Sequence, residues 1–217
     1  MFEPFFDALD ESETSGDPRM SGVAPAVVVE NLDLTHAGRV QVRYAWLPGV
    51  EPWARVCAPV AGDGSGIWCL PQPGDEVLVG FHKGDVREPY VLGGLWSMVS
   101  PPPVSLPTDA QFKRVLRSPQ GHEFSMDDLL GEVVVRHQQG HSIKLARDGI
   151  TISVAGGAAS VTLDATGTVT LSGKRAVEAR GLDITLKAAD SLTVSGTRAA
   201  LKAQATCTVQ GAMVKIN

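Results

Sequence analysis

His137 and His141 are the first candidates for chemistry, because two imidazole rings four residues apart would share a helix face and could bind one metal ion. The surrounding segment, GEVVVRHQQGHSIKL, places β-favouring residues on both sides of Gln138-Gln139-Gly140, which is typical of a hairpin. In a hairpin the two rings would flank the turn, where water or other groups of the protein would meet their hydrogen-bonding capacity. We expect no metal and no other cofactor within one chain, and a metal shared between symmetry-related copies stays open.

Two pairs of adjacent carboxylates, Asp127-Asp128 and Asp75-Glu76, are the candidates for acid–base work. Adjacent residues of a strand point to opposite faces, whereas a catalytic pair must face one cleft. The glycine-rich segment Gly62–Gly66 has no following lysine or helix, so it indicates a loop and not a phosphate site. The sequence therefore predicts no catalytic residue and no enzymatic activity.

Four tryptophan side chains could stack on the bases of a nucleic acid: Trp46, Trp53, Trp68 and Trp96. Residues 31–100, which contain all four, carry five basic and seven acidic side chains, and the whole chain has a formal net charge of −5. No segment is basic enough to follow a phosphate backbone. We expect no nucleic-acid partner and place the tryptophans in core and interface roles.

Three cysteines, Cys57, Cys69 and Cys207, are too few and too widely spaced for a disulfide framework, and we expect buried thiols. The first residues, MFEPFFDALDESE, lack the basic and apolar regions of a signal peptide, and no apolar run approaches the length of a membrane span. We expect a protein made in the cytoplasm that leaves only as part of a particle.

The elements that would position these residues are nearly all strands, and the chain divides into four segments: an arm (1–25), a barrel domain (26–100), a proline-rich linker (101–111) and hairpins with a stalk (112–217). The predicted strands of the barrel domain are Val27–Glu30, Gly38–Tyr44, Trp53–Cys57, Gly66–Leu70, Glu76–Phe81 and Tyr90–Trp96. Five or six short strands in about 70 residues suit a small closed barrel of the OB type, since closure removes open edges.

The arm contains an apolar group that could anchor it on a partner: Phe2, Phe5, Phe6 and Leu9. A short helix packed on its own domain is the equal alternative. A polar stretch follows, and the linker segment PPPVSLP indicates a stiff spacer.

The last segment is predicted to begin with two hairpins, around Ser118–Gly121 and Gln138–His141, and continues as a repeat of about eight residues. The alternating runs begin at 161, 169 and 177 and then near 184, 192, 200, 207 and 214. Valine, isoleucine and leucine occupy one face of each run, and threonine, serine and charged residues occupy the other.

Eight residues supply one short strand and one corner, which is too little for a single chain to enclose a core. Three chains wound about one axis would bury the apolar faces inside a triangular prism and pair the open strand edges. About eight repeats at ~4.8 Å each give a rod roughly 40 Å long. The predicted fold class is all-β, an N-terminal OB-fold barrel followed by an intertwined triple-stranded β-helix (a trimeric β-prism), with a monomeric β-sandwich or a meander with polar strands as the alternative.

Several blocks occur in order between residues 38 and 93: Gly38–Trp46, Trp53–Val56, Gly66–Trp68, Leu70–Val79, Gly84-Asp85 and Arg87–Gly93. Together they resemble the OB domain of phage baseplate assembly protein V and the matching domain of the type VI secretion spike with valine–glycine repeats. The final residues GAMVKIN resemble the blunt end of those spikes, without the His-x-His pair of metal-tipped ones.

The resemblance implies a homotrimeric central spike in the baseplate of a phage tail or tail-like particle, in transient contact with the target membrane. It implies a separate hub protein at the N-terminal side, docked through Phe2, Phe5, Phe6 and Leu9. It also implies a PAAR-type tip protein at the C-terminal end, bound through Met213, Val214, Ile216 and Asn217.

Larger spikes of the family have a hub region where this chain has about 35 residues, and some have a lysozyme domain where this chain has its linker. We therefore expect the hub to be another protein and cell-wall hydrolysis to be absent here. The alternatives are an OB-type nucleic-acid or carbohydrate binding module with a trimerising tail, and a cell-wall enzyme. The sequence does not distinguish phage, secretion system and extracellular particle.

Overall fold

The structure is a computed structural model that describes residues 20–215. In this range the chain forms fourteen strands, β1–β14, with a four-residue helix and a short 3₁₀ turn. It divides into two compact units near residue 115. No helix in residues 20–215 is long and apolar enough to cross a membrane.

The first unit is a closed barrel with strand order β1-β2-β3-β7-β6, which confirms the predicted barrel. The bounds are β1 Val23–Glu30, β2 Arg39–Arg43, β3 Trp53–Val56, β6 Glu76–His82 and β7 Asp85–Leu95. Neighbouring strands are antiparallel except β3 and β7, which are parallel.

Strict alternation along the strands builds the barrel core. The buried apolar residues are Ala24, Ala26, Val28, Val40, Val42, Tyr44, Ala54, Val77, Val79, Val86 and Val91. The Tyr44 hydroxyl satisfies its one donor inside this core by a 2.9 Å hydrogen bond to the Val86 carbonyl. Small and β-branched side chains suit the narrow interior of a barrel of this size.

The segment between β3 and β6 differs from the prediction, because Gly66–Leu70 does not form a barrel strand. Two-residue strands β4 (Ala61–Gly62) and β5 (Ser65–Gly66) pair as a small hairpin, and residues 67–70 lie outside strands. Gly66 closes the hairpin at φ 142°, where a Cβ atom would lie 2.4 Å from the Val60 carbonyl oxygen. The glycine thus ends a hairpin and does not begin a strand.

The second unit is a seven-stranded antiparallel meander, ordered β14-β13-β12-β11-β10-β9-β8. Its strands are β8 Lys113–Arg117, β9 Glu123–Asp127, β10 Glu132–Arg136, β11 Ser142–Ala146, β12 Gly149–Ser153, β13 Ala159–Asp164 and β14 Val169–Gly173. A short helix, α1 (Asp109–Phe112), precedes β8. The predicted hairpins are confirmed, and the runs beginning at 150, 161 and 169 extend the same meander within one chain.

Residues 174–215 contain no strand, although the eight-residue repeat continues through them. Their apolar side chains, among them Val177, Ile184, Leu192 and Val209, are exposed in the single chain. The intertwined β-helix therefore stays a prediction, as do the exact segment boundaries. Within residues 20–215 no strand pairs with these runs.

The expectation of buried thiols is wrong, because Cys57, Cys69 and Cys207 are all exposed. Cys57 follows the last residue of β3 and Cys69 lies in the segment that leaves the β4–β5 hairpin, so neither reaches the barrel core. Cys207 lies in the region without strands. Cysteine is one of the residue types most often buried in proteins, which is why burial was expected. In this chain the local path of the backbone places the three side chains at the surface.

Candidate functional site

The meander carries its apolar side chains in rows on one face. Cross-strand register forms one row from Met126, Val133, Leu145, Ile150, Leu163 and Val169, and a second row from Phe124, Val135, Ile143, Ile152, Val161 and Leu171. Because alternate residues of a strand share a face, both rows project from the same side of the sheet.

This apolar face is uncovered in the single chain. Ile143 is 41% exposed and Ile152 is 45% exposed, although both lie on interior strands of the sheet. Ser142 and Lys144, which flank Ile143 on the opposite face, are more covered. Exposing the apolar face while covering the polar face costs free energy in water, so a contiguous surface of this kind is a candidate interface.

Three histidines lie where this apolar face ends. The predicted hairpin around His137 and His141 is confirmed: the His137 amide donates to the His141 carbonyl at 2.8 Å. The structure adds His122, whose ring centroid lies 4.5 Å from that of His137, while the His137 and His141 centroids lie 5.4 Å apart. Sequence reasoning missed His122, although its position two residues before Phe124 was the available signal.

The hydrogen bonds of the three rings do not suit metal binding. Each Nδ1 accepts a backbone amide proton, from Gln138 at His122, from Gln139 at His137 and from Ala155 at His141. A metal-binding ring instead donates its second N–H to an acceptor. Among residues 20–215 no group of three or more histidine, cysteine or carboxylate side chains is arranged to hold a metal ion.

Two of the four carboxylates considered for catalysis, Asp127 and Asp75, cap turns. Asp127 Oδ1 accepts the Leu130 amide at 2.9 Å, and Asp75 Oδ2 accepts the Gln72 amide at 2.8 Å. Asp33 is the most strongly engaged carboxylate of the barrel unit: hydrogen bonds from the side chains of Arg39 and Thr35 hold its pKa well below the usual value. These hydrogen bonds fix the loops in which the three aspartates lie.

A pocket of about 470 Å³ lies beneath the β4–β5 hairpin, between Gly38 and the segment 56–70. None of its lining side chains is charged, and the exposed Trp68 ring lies at its edge. Elsewhere Trp46 stacks on Tyr44 at 5.1 Å, and the Arg39 guanidinium lies over the Trp53 ring. An uncharged pocket gives no support to binding of a phosphate backbone.

The residues predicted to dock on a hub, Phe2, Phe5, Phe6 and Leu9, lie outside the described residues. At the other end Met213 and Val214 are exposed, while Ile216 and Asn217 also lie outside them. The structure therefore brings together the apolar face and the histidines, and both docking hypotheses stay predictions.

A closed OB-type barrel followed by an antiparallel sheet with an uncovered apolar face defines a modular all-β protein. Residues 24–96 match the family model described as the type VI secretion system/phage-baseplate injector OB domain. Residues 113–178 match the phage baseplate V C-terminal trimerisation domain. The chain belongs to the phage baseplate V family, and its trimerisation domain supports a homotrimer.

The chain is similar to curated proteins that are named as type VI secretion system spike proteins. The chain is 34% identical over 131 residues to the type VI secretion system spike protein VgrG4b of Pseudomonas aeruginosa, covering 53% of this chain and 16% of that protein. It is 32% identical over 138 residues to the spike protein VgrG3 of Vibrio cholerae, covering 56% and 14%. It is 28% identical over 177 residues to VgrG1a of Pseudomonas aeruginosa, covering 70% and 28%. The chain thus spans less than a third of each of these relatives.

Proposed function

We propose that this chain is the central spike, or needle tip, of a contractile phage tail or tail-like injection system. In this proposal three copies form a rigid rod that links a baseplate hub to the tip and helps to puncture the target membrane. The observation that carries the proposal is the uncovered apolar face of β9–β14, in a chain that also contains a barrel of the injector OB type.

The proposed role is mechanical and not enzymatic. Sheath contraction supplies the work, and the trimer transmits it because its strands are cross-linked by backbone hydrogen bonds and its apolar faces are buried between chains, at roughly 25 cal/mol per Å². The relatives named as spike proteins support this role. Localisation follows from it: the protein works as a component of a baseplate or tail-like particle.

The partners are part of the same proposal. The apolar side chains of the arm, Phe2, Phe5, Phe6 and Leu9, dock on a separate hub protein. Replacing all four with serine should leave the homotrimer intact and abolish co-assembly with purified hub; co-assembly at the level of the unchanged protein contradicts the docking hypothesis.

At the other end, Met213, Val214, Ile216 and Asn217 form the platform for a PAAR-type tip protein. Val214→Asp should prevent co-purification with a co-expressed tip protein, because it places three charges on a surface that the tip must cover. Val23→Asp, on the exposed side of β1, is the matched control and should not affect tip binding.

Light scattering on the purified full chain tests the central claim. We expect three times the 22.9 kDa mass of one chain at micromolar concentration. A stable, folded monomer overturns the spike proposal and leaves the OB-type binding module. Gel-shift and oligosaccharide-binding assays at physiological salt then measure that alternative directly.

A further inference from the structure

The three histidines form a third row on the apolar face. His122 precedes Phe124 by two residues, His137 follows Val135 by two, and His141 precedes Ile143 by two. Phe124, Val135 and Ile143 are cross-strand neighbours, so the histidines continue the apolar rows at the edge where β9, β10 and β11 meet their turns. Each trimer would hold nine such rings at the rim of its inter-chain contact.

Hydrogen bonds from backbone amides fix the tautomer of these three rings. The Nδ1 atoms accept amide protons over 3.4 Å at His122, 3.2 Å at His137 and 3.1 Å at His141. An accepting Nδ1 carries a lone pair, so the proton of each neutral ring lies on Nε2. When a ring gains a second proton, Nδ1 becomes a donor that faces another donor, and the hydrogen bond is lost.

Neighbouring charges also oppose a second proton on these rings, because cations outnumber carboxylates at this edge of the sheet. Arg117 ends β8 and approaches Gly121, Arg136 ends β10, and the Lys174 ammonium donates to the Gly156 carbonyl beside the turn that holds His141. Glu123 is the carboxylate at the same end of β9, but its register partner is Arg136 and it lies on the opposite face from His122. β11 and β12 contribute only Ser142 and Ser153 there, joined by a hydrogen bond.

We propose that the histidine row makes the inter-chain contact of the trimerisation sheet acid-sensitive. Protonation of His122, His137 and His141 loosens the end of the trimer that these three residues border. The proposal rests on the homotrimer of the proposed function. It adds a condition: the assembled spike is held tightly near neutral pH and is released or remodelled in a compartment of about pH 5.5.

The direction follows from the ring in the middle of the row. Desolvation, and then the neighbouring His122 and His141, lower the pKa of His137 below its ordinary 6.5. The pKa is lowered in the folded chain, so an unfolded chain, or a chain whose histidine turn has opened, binds the proton more tightly. The stability of the folded turn is therefore complete above about pH 6.5 and is lost as the pH falls through the lowered value.

The test is a dilution series of the full chain by sedimentation velocity at pH 7.5 and pH 5.5, at constant ionic strength. We expect the concentration at which half the chains are trimeric to rise about tenfold or more at pH 5.5, because each protonated ring loses the hydrogen bond from its backbone amide at the rim of the contact. A triple variant, His122→Asn with His137→Asn and His141→Asn, keeps an acceptor oxygen near each Nδ1 position but does not titrate. We expect its midpoint to change by less than about twofold between the two conditions.

His36→Asn in the barrel unit is the matched control, because it removes a histidine at φ 56°, a conformation that asparagine adopts readily. It should keep the full pH response. Equal midpoints of the unchanged protein at both pH values overturn the inference, as does a triple variant that dissociates in acid like the unchanged protein. A chain that is monomeric already at pH 7.5 contradicts the proposed function instead.

A second measurement does not depend on the variants. Hydrogen–deuterium exchange of the unchanged protein, corrected for the intrinsic pH dependence, should show protection lost in acid at the Gln138, Gln139 and Ala155 amides. The Val134 amide, in the middle of β10, should stay protected. Unchanged protection at all four positions contradicts the inference.

Discussion

The double variant Ile143→Ser with Ile152→Ser removes the centre of the apolar face. The two side chains are cross-strand neighbours on β11 and β12 and are 41% and 45% exposed in the single chain. Fully burying an isoleucine contributes roughly 1.5–3 kcal/mol, so covering the exposed half contributes about 1 kcal/mol for each side chain. A homotrimer holds six such side chains, and the variant should therefore weaken assembly by about 6 kcal/mol.

Six kcal/mol corresponds to about four decades in the equilibrium constant for three chains, at 1.36 kcal/mol per decade. The midpoint concentration of trimer formation varies as the square root of that constant. It should therefore rise about a hundredfold, which sedimentation velocity over a dilution series measures directly. All four tryptophans lie between residues 46 and 96, so their fluorescence reports separately whether the barrel stays folded.

The matched control is Thr151→Ser with Thr162→Ser, a cross-strand pair on the opposite face of β12 and β13. We expect its midpoint to stay within about twofold of the unchanged protein, because this face is not the proposed contact. If the isoleucine variant assembles at the original midpoint with its sheet intact, the apolar face is not the inter-chain contact. If both variants dissociate alike, the loss reflects damage to the sheet and the reasoning also fails.

Three further substitutions test single interactions. Tyr44→Phe should lower the free energy of unfolding of the barrel by about 1 kcal/mol in denaturant titrations, because the buried Val86 carbonyl loses its donor. It should also remove a loss of stability between pH 10 and pH 12, since burial raises the pKa of Tyr44 from 10.0 to about 12. Asp33→Asn should flatten the fall in melting temperature below pH 4, because the lowered pKa of Asp33 means that its stabilisation is lost as the carboxylate becomes protonated. Gly149→Ala should destabilise the meander by more than about 1 kcal/mol in thermal melts followed by circular dichroism, because at φ 144° its Cβ atom would lie 2.1 Å from the Leu163 carbonyl oxygen.

The barrel was largely predictable from the sequence because its strands alternate and glycine or proline lies between them. Its errors have local causes. Residues 67–70 are apolar enough for a strand, but the β4–β5 hairpin takes Ser65 and Gly66 and leads the chain away from the sheet. The histidine cluster needed the register of three strands, and His122 lies fifteen residues before His137, beyond any local pattern.

The eight-residue period identified the apolar runs but could not tell which of them pair within one chain, because glycine spacing does not reveal backbone conformation. Turns of the meander use glycines at positive φ, as at Gly140 (89°) and Gly167 (93°), and such a residue lets a tight turn send the chain back along the strand it has just formed. Gly181 and Gly196 recur in the same way, but their φ angles lie outside the left-handed region. In residues 174–215 the next run does not pair with its predecessor. Its apolar side chains stay exposed in one chain, and the predicted intertwined β-helix would bury them against strands of other chains.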